Sequence, residues 1–126
     1  MSLPAVLVVD DDLNLRRILE AKLQRGPFDV LAVSNLASAR SALESAKYAV
    51  VVIDERLPDG SSLSVLPSLR DLAPETSFVV ITAYEENSMR EQAVRAGAQE
   101  ILFKPFDLDM LDAVVRSCAA NDQRSP

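Results

Sequence analysis

The chain has 126 residues and a formal net charge of −6 at pH 7, and 48% of its residues are hydrophobic. This is the length of one domain with a substantial core. The negative charge argues against direct binding to nucleic acid or to an anionic membrane surface, and no apolar stretch approaches the ~20 residues of a membrane span. The absence of histidine excludes Ser-His-Asp catalysis, His-ligated zinc and a phosphohistidine donor, and the single cysteine, Cys118, fits a cytoplasmic location because it cannot form an internal disulfide.

Short, β-branched apolar runs alternate with amphipathic helical patterns along the chain. Asp12 is the predicted N-cap of the first helix and Asp107 that of the last, while Gly97 is expected to end the fourth. Five strand-helix units predict a doubly wound α/β fold, in which helices cover both faces of a parallel sheet as a three-layer sandwich. The predicted strands are 5–9, 30–33, 49–53, 78–81 and 101–103, and the apolar stripes of the helices span 15–23, 36–46, 62–72, 87–96 and 108–118.

Charged and hydroxyl side chains follow or end four of these strands. Asp10 and Asp11 follow the first, Asp54 the third, Thr82 the fourth and Lys104 the fifth. The carboxyl ends of parallel strands meet at one rim of the sheet, so we expect these side chains to converge. Adjacent carboxylates repel each other without a cation, Mg²⁺ prefers such oxygen ligands, and a lysine can neutralise a phosphoryl oxygen. The pattern predicts a site for a divalent cation and a phosphoryl group.

Each of these residues also has a simpler explanation: the Asp10 and Asp11 carboxylates could merely be solvated. Asp54 could cap the turn that follows it, Lys104 could be a solvated surface charge, and Thr82 could be an ordinary strand former. Ala83 would leave a phosphoryl oxygen beside Thr82 accessible. Pro105 leaves open whether the Lys104–Pro105 bond is cis, since a few per cent of such bonds are. The combination of residues is more specific than any one of them.

The motifs resemble the receiver domain of two-component response regulators, the CheY-like superfamily. The resemblance covers residues 6 to about 118 and implies a flavodoxin-like (βα)5 sheet of strand order 2-1-3-4-5, which the alternation of elements does not fix. It implies a receiver domain at 4–120, with 121–126 a polar tail or the start of a linker to an output domain. The matching segments are Val8-Val9-Asp10-Asp11, Ile53-Asp54, Leu57-Pro58-Asp59-Gly60, Ile81-Thr82-Ala83, Ala96-Gly97-Ala98 and Phe103-Lys104-Pro105-Phe106.

The resemblance assigns Asp54 as the phosphoacceptor. It implies that Asp11 and Asp54 bind Mg²⁺ directly, together with the backbone carbonyl of Arg56, while Asp10 acts through water. Thr82, Ala83 and Lys104 would contact the phosphoryl group. The side chains of Arg56 and Tyr84 would modulate the water that hydrolyses the acyl phosphate.

Two positions depart from the family pattern. Ile101 stands where the family usually carries a Tyr or Phe whose rotation reports phosphorylation, which leaves the aromatic half of the switch in question. Ser62 stands where a glycine is usual, and it would stiffen the loop or start the third helix early.

The implied function is that of a phosphorylation-controlled switch and not of an enzyme, beyond self-directed phosphotransfer and autodephosphorylation. A sensor histidine kinase would donate the phosphoryl group. The face formed by the fourth helix, fifth strand and fifth helix would then act on an output domain, an effector or a second copy, with control of transcription as the expected outcome. Two alternatives remain open: a haloacid-dehalogenase-like phosphatase that uses Asp10 with Asp12, and a receiver-like module that is never phosphorylated, for which Ile101 gives some support.

Overall fold

The computed structural model describes residues 3–83 and 87–124. In chain order the elements are β1 (Ala5–Val9), α1 (Leu13–Gln24), β2 (Asp29–Val33), α2 (Leu36–Ser45), β3 (Val50–Asp54), β4 (Arg56–Leu57), β5 (Gly60–Ser61), α3 (Ser62–Leu72), β6 (Ser77–Thr82), α4 (Asn87–Ala96), β7 (Glu100–Phe103) and α5 (Leu108–Arg124).

One parallel sheet forms the centre of the fold. Its strands lie in the order β2-β1-β3-β6-β7, which is 2-1-3-4-5 when only the strands of this sheet are counted. The predicted flavodoxin-like topology is therefore confirmed. A separate two-stranded hairpin, β4–β5, lies between Asp54 and α3, and the apolar pattern did not predict it.

The core consists of two apolar layers, one on each face of the sheet. Side chains that alternate along β1 point to opposite faces, so Val6 and Val8 pack on the α1–α5 side while Leu7 and Val9 pack on the α2–α3–α4 side. The same alternation continues along β3 and β6, whose apolar residues are buried on both faces. The predicted three-layer sandwich is confirmed.

Two expectations about burial are wrong. β2 is an edge strand, and Leu31 at its centre is 44% exposed, so β2 is not covered on both faces as its apolar composition predicted. Ile18, assigned to the buried stripe of α1, is 48% exposed, whereas Leu19 and Leu23 are buried. The helix presents a narrower apolar face to the sheet than the spacing of its apolar residues suggests.

The last helix is longer than its apolar stripe. α5 continues to Arg124, through most of the segment predicted as a polar tail, and the limits of the domain stay a prediction. Within the two described ranges, every helix is too short or too polar to cross a lipid bilayer.

Candidate functional site

The register of the sheet brings four strand ends to the same rim. Val9 pairs with Ile53 in the neighbouring strand, Asp54 pairs with Ile81, and Thr82 pairs with Phe103. The residues that follow these pairs therefore leave the sheet side by side. The rim collects the side chains that the sequence placed at separate strand ends.

Three carboxylates form a cluster at this rim. Asp10, Asp11 and Asp54 each offer an oxygen, and these oxygens all lie within 4.8 Å of one another. Asp10 is fully buried and Asp54 is 8% exposed, whereas Asp11 faces solvent. Negative charges this close repel one another unless a cation lies among them, and carboxylate oxygens are the ligands that Mg²⁺ prefers. The donor set fits the predicted Mg²⁺ site.

The two carboxylate oxygens of Asp10 differ in their hydrogen bonding. Its Oδ1 accepts a hydrogen bond from the Asp12 amide at 2.8 Å, but its buried Oδ2 has no hydrogen-bond partner in the described part of the chain. Burial raises the pKa of Asp10 above its usual value, and the Asp54 and Asp11 carboxylates raise it further, against the opposing effects of the Asp12 amide and Lys104. An orphaned, desolvated oxygen is suited to a cation or a cation-bound water.

Lys104 supplies positive charge to the same cluster. Its Nζ donates a hydrogen bond to Asp54 Oδ2 at 3.1 Å and lies 3.9 Å from Asp10 Oδ2. The Lys104 amide donates to the Thr82 carbonyl at 2.7 Å, which continues the β6–β7 ladder past the end of β7. The Lys104–Pro105 peptide bond is cis. Lys104 therefore contacts the carboxylate of the predicted phosphoacceptor and is not a free surface charge.

Thr82 and Ala83 lie at the end of β6. Thr82 is 1% exposed, and the small Ala83 beside it faces solvent. Their position places them at the same rim as Asp54, through the pairing of β6 with β3. Tyr84, the other predicted modulator, lies outside the described residues.

The β4–β5 hairpin borders the site. Arg56 begins it two residues after Asp54, with a side chain that is 74% exposed and an Nε that lies 3.6 Å from Glu55 Oε1. Glu55 is itself buried, and its Oε2 accepts a hydrogen bond from Ser61 Oγ at 3.2 Å. Sequence reasoning did not single out Glu55, because nothing local distinguishes a buried acid from an exposed one beside Asp54.

Asp59 is a second residue of this region whose role the sequence did not reveal. Its Oδ1 accepts from the Leu36 amide at 2.9 Å and its Oδ2 from the Ala37 amide at 3.0 Å, at the start of α2. These hydrogen bonds lower the pKa of Asp59. The Pro58-Asp59-Gly60 sequence indicates a turn, but only the tertiary structure shows which helix the carboxylate caps.

The two departures from the family pattern both lie in buried positions. Ile101 is 2% exposed and packs in the apolar layer on the α2–α3–α4 side. Ser62 is the first residue of α3, is fully buried, and has a hydroxyl without a hydrogen-bond partner among the described residues. Position 101 is thus filled by an aliphatic core side chain.

Asp12 is engaged as a helix cap. Its Oδ1 accepts hydrogen bonds from the Asn14 amide at 3.0 Å and the Leu15 amide at 3.2 Å, so the predicted N-cap of α1 is confirmed. This weighs against the phosphatase alternative, which needs the carboxylate two residues after Asp10 to be directed at a substrate.

Comparisons with known proteins agree with this geometry. The family model for the response regulator receiver domain matches residues 6–116. Response regulator protein PilR of Pseudomonas aeruginosa is 36% identical over 115 residues, which are 91% of this chain and 26% of PilR. The DNA-binding transcriptional regulator NtrC of Rhizobium meliloti is 31% identical over 121 residues, which are 96% of this chain and 25% of NtrC. The chain therefore spans about a quarter of the length of each.

A solved structure gives a similar result. The crystal structure of a response regulator protein from Burkholderia pseudomallei with a phosphorylated aspartic acid, calcium ion and citrate is 28% identical, with a TM-score of 0.84. The match covers 95% of this chain and 71% of that one.

Proposed function

The chain belongs to the response regulator receiver domain family, and from this premise we propose that it accepts a phosphoryl group on Asp54 from a sensor histidine kinase, with Mg²⁺ as cofactor. The family is generally a signalling one and not a catalytic one. One observation carries the proposal: the Asp10, Asp11 and Asp54 carboxylates lie within 4.8 Å of one another, and Lys104 Nζ lies 3.1 Å from Asp54.

The chemistry needs positioning and charge neutralisation more than it needs acid–base groups. An Asp54 oxygen forms a bond to phosphorus as the phosphorus–nitrogen bond of the phosphohistidine donor breaks, and the departing nitrogen keeps the electron pair. Asp11, Asp54 and the Arg56 carbonyl would hold Mg²⁺, with Asp10 acting through water. The cation would neutralise charge at the phosphoryl oxygens. Lys104 adds a second positive charge on the same side.

The remaining rim residues bind the phosphoryl group and set the lifetime of the acyl phosphate. The Thr82 hydroxyl donates a hydrogen bond to the phosphoryl group, and Ala83 leaves room for it. The exposed Arg56 side chain and Tyr84 control how water approaches the acyl phosphate, and water attack ends the signal.

The output follows from a shift between two conformations. A phosphoryl group attracts Thr82 and its loop, and it favours whichever packing of α4, β7 and α5 accommodates that position. Because Ile101 is aliphatic, Thr82 and its loop carry the switch. The face then acts on an output domain, an effector or a second copy of the chain. The similarity to NtrC, a DNA-binding transcriptional regulator, favours control of transcription.

Phosphorylation by a small donor tests the proposal. The purified chain is incubated with acetyl phosphate and Mg²⁺, and intact-mass and peptide mass spectrometry follow the product. We expect a mass gain of one phosphoryl group on the peptide that contains Asp54, and its loss in Asp54→Asn and after chelation of Mg²⁺. No mass gain in the wild-type chain would contradict the proposal and favour the non-phosphorylated module. Labelling that survives Asp54→Asn but disappears in Asp10→Asn would favour the phosphatase.

A further inference from the structure

The β4–β5 hairpin is too small to hold its own shape. Its strands are two residues each, Arg56–Leu57 and Gly60–Ser61, and an isolated hairpin of this size has little stability in water. It nevertheless carries Arg56, whose carbonyl is the third expected ligand of the cation. Contacts outside the hairpin must therefore fix it.

The first such contact is made by Glu55 at the base of the hairpin. Its amide donates to the Ile81 carbonyl at 2.8 Å and its carbonyl accepts from the Ser62 amide at 2.9 Å, which ties the base to β6 and to α3. Its side chain accepts from Ser61 Oγ and lies beside Arg56 Nε, and these two residues pair with each other at the base of the hairpin. Glu55 is only 6% exposed. Burial of a carboxylate costs free energy unless hydrogen bonds and ion pairs compensate, and the contacts with Ser61 and Arg56 provide that compensation.

The second contact is made by Asp59 at the tip of the hairpin. Its two oxygens accept from the Leu36 and Ala37 amides at the N-terminus of α2, where the helix already has a cap of its own in Asn35. A carboxylate is favoured at this position by the free amides and by the helix dipole. The tip of the hairpin is thereby fastened to a different helix from its base.

We propose that Glu55 and Asp59 are positioning residues for the cation, which clamp the hairpin at its base and its tip and so hold the Arg56 carbonyl beside Asp54. This inference rests on the proposed function, because it assumes that the rim binds Mg²⁺. A hairpin fixed before the cation arrives loses no conformational freedom on binding, and groups that orient a metal ligand commonly change metal affinity about 10- to 100-fold when removed.

Mg²⁺ affinity of the unphosphorylated chain is the first measurement. The ¹⁵N-labelled wild type and the variants Asp59→Asn and Glu55→Gln are titrated with MgCl₂, and amide shifts give the Kd. We expect each variant to bind Mg²⁺ about tenfold more weakly. At saturating Mg²⁺ the initial rate of phosphorylation by acetyl phosphate should match that of the wild type, because the variants change the Mg²⁺ dependence and not the chemical step.

Asp71→Asn and Glu44→Gln are matched controls, since both remove an exposed negative charge, from α3 and α2 respectively. Neither control should change the Kd for Mg²⁺ by more than the small amount expected from the loss of one negative charge on the surface. Ser61→Ala removes only the hydroxyl that donates a hydrogen bond to Glu55 Oε2, and it tests the base clamp if Glu55→Gln does not fold.

Amide hydrogen exchange shows whether the clamps hold the hairpin. Asp59→Asn should speed exchange at the Leu36 and Ala37 amides, which donate to the Asp59 carboxylate. Glu55→Gln should speed exchange at the Ser62 amide, because a looser base weakens its hydrogen bond to the Glu55 carbonyl. Faster exchange with an unchanged Kd would overturn the inference, as would unchanged exchange, or an affinity loss that the controls share. A wild-type chain that binds no Mg²⁺ would overturn the proposed function as well, whereas equal binding by wild type and variants would overturn the inference alone.

Discussion

The two rims of the parallel sheet differ in how their polar side chains are arranged. At the amino-terminal rim, side chains complete hydrogen bonds: Thr76 Oγ1 donates to the Tyr48 carbonyl at 2.7 Å, and Gln99 Oε1 accepts from the Phe78 amide at 2.6 Å. At the carboxyl-terminal rim, the backbone ladder also continues, yet Asp10 and Asp54 are buried close to each other. The amino-terminal rim is arranged for stability, whereas the carboxyl-terminal rim holds repulsion that a bound cation would relieve.

A core change near the amino-terminal rim should have the largest effect. Phe78→Ala removes a fully buried ring from β6 and leaves a cavity, so we expect the free energy of unfolding to fall by about 3–5 kcal/mol. Urea denaturation measures the loss. Phe78→Leu should lose less than half as much.

Phosphorylation of the folded Phe78→Leu fraction should proceed at the wild-type rate, because the reacting groups lie at the other rim. A reduced rate with unchanged stability would show that the two rims are not separable.

Removing the buried Asp10 charge at the carboxyl-terminal rim should raise the stability of the fold, whereas Phe78→Ala lowers it. Asp10→Asn should raise the free energy of unfolding at neutral pH by about 1–2 kcal/mol without divalent cation, since a buried, poorly satisfied charge is removed. The variant should also bind Mg²⁺ more weakly. Chemical denaturation with a chelator present measures the gain.

The pH dependence of this gain follows from the raised pKa of Asp10. Protonation favours the folded wild type, so its stability relative to Asp10→Asn increases as the pH falls through the raised folded-state pKa, and the increase is complete below the unfolded value near 3.8. The gain of the variant should therefore shrink on acidification. A gain that is constant with pH would show that the Asp10 charge is not its cause.

Mg²⁺ should stabilise the carboxyl-terminal rim by a smaller amount. At a concentration of about ten times its Kd, a ligand that binds only the folded state adds about 1.4 kcal/mol. Thermal unfolding of the wild type should shift upward with MgCl₂, and that of Asp11→Asn should not. An equal shift in both would place the binding site elsewhere.

A hydrogen bond at the amino-terminal rim should have the smallest effect. Thr76→Val keeps the shape of a buried side chain and removes its donor to Tyr48, so we expect a loss of about 1 kcal/mol. Denaturation curves measure it, with Thr76→Ser as the variant that restores the hydroxyl. The Mg²⁺ affinity of Thr76→Val should be that of the wild type, and a weaker affinity would contradict the separation of the rims.

The central strands were predictable because their sequences permit one environment only. β1, β3 and β6 contain the apolar runs 5–9, 50–53 and 78–81, which must be covered on both faces. The acids, the threonine and the lysine at the carboxyl ends of these strands and of β7 had to meet at one rim. The strand order came from the resemblance to receiver domains, because alternation of strands and helices is compatible with several orders.

What the sequence could not show depends on contacts between distant segments. The burial of Glu55, the capping of α2 by Asp59 and the exposure of Leu31 follow from neighbours that no local pattern reveals. Gly97 was predicted to end α4, and its φ of +110° agrees. A side chain there would also collide with Arg70, whose Nη1 donates to the Gly97 carbonyl, and only the packed structure shows this second constraint.

The strand order also has a consequence for synthesis on the ribosome. β2, β1 and β3 are neighbours in the sheet and all belong to the first 54 residues, so a contiguous three-stranded unit is translated before β6 and β7 are added in turn at one edge. Asp54 precedes Lys104 by 50 residues, which at about 5–20 residues per second is a delay of roughly 3–10 s. During synthesis the three clustered carboxylates therefore exist before Lys104 does. The lysine that neutralises part of their charge is added only after β7, the last strand to be made.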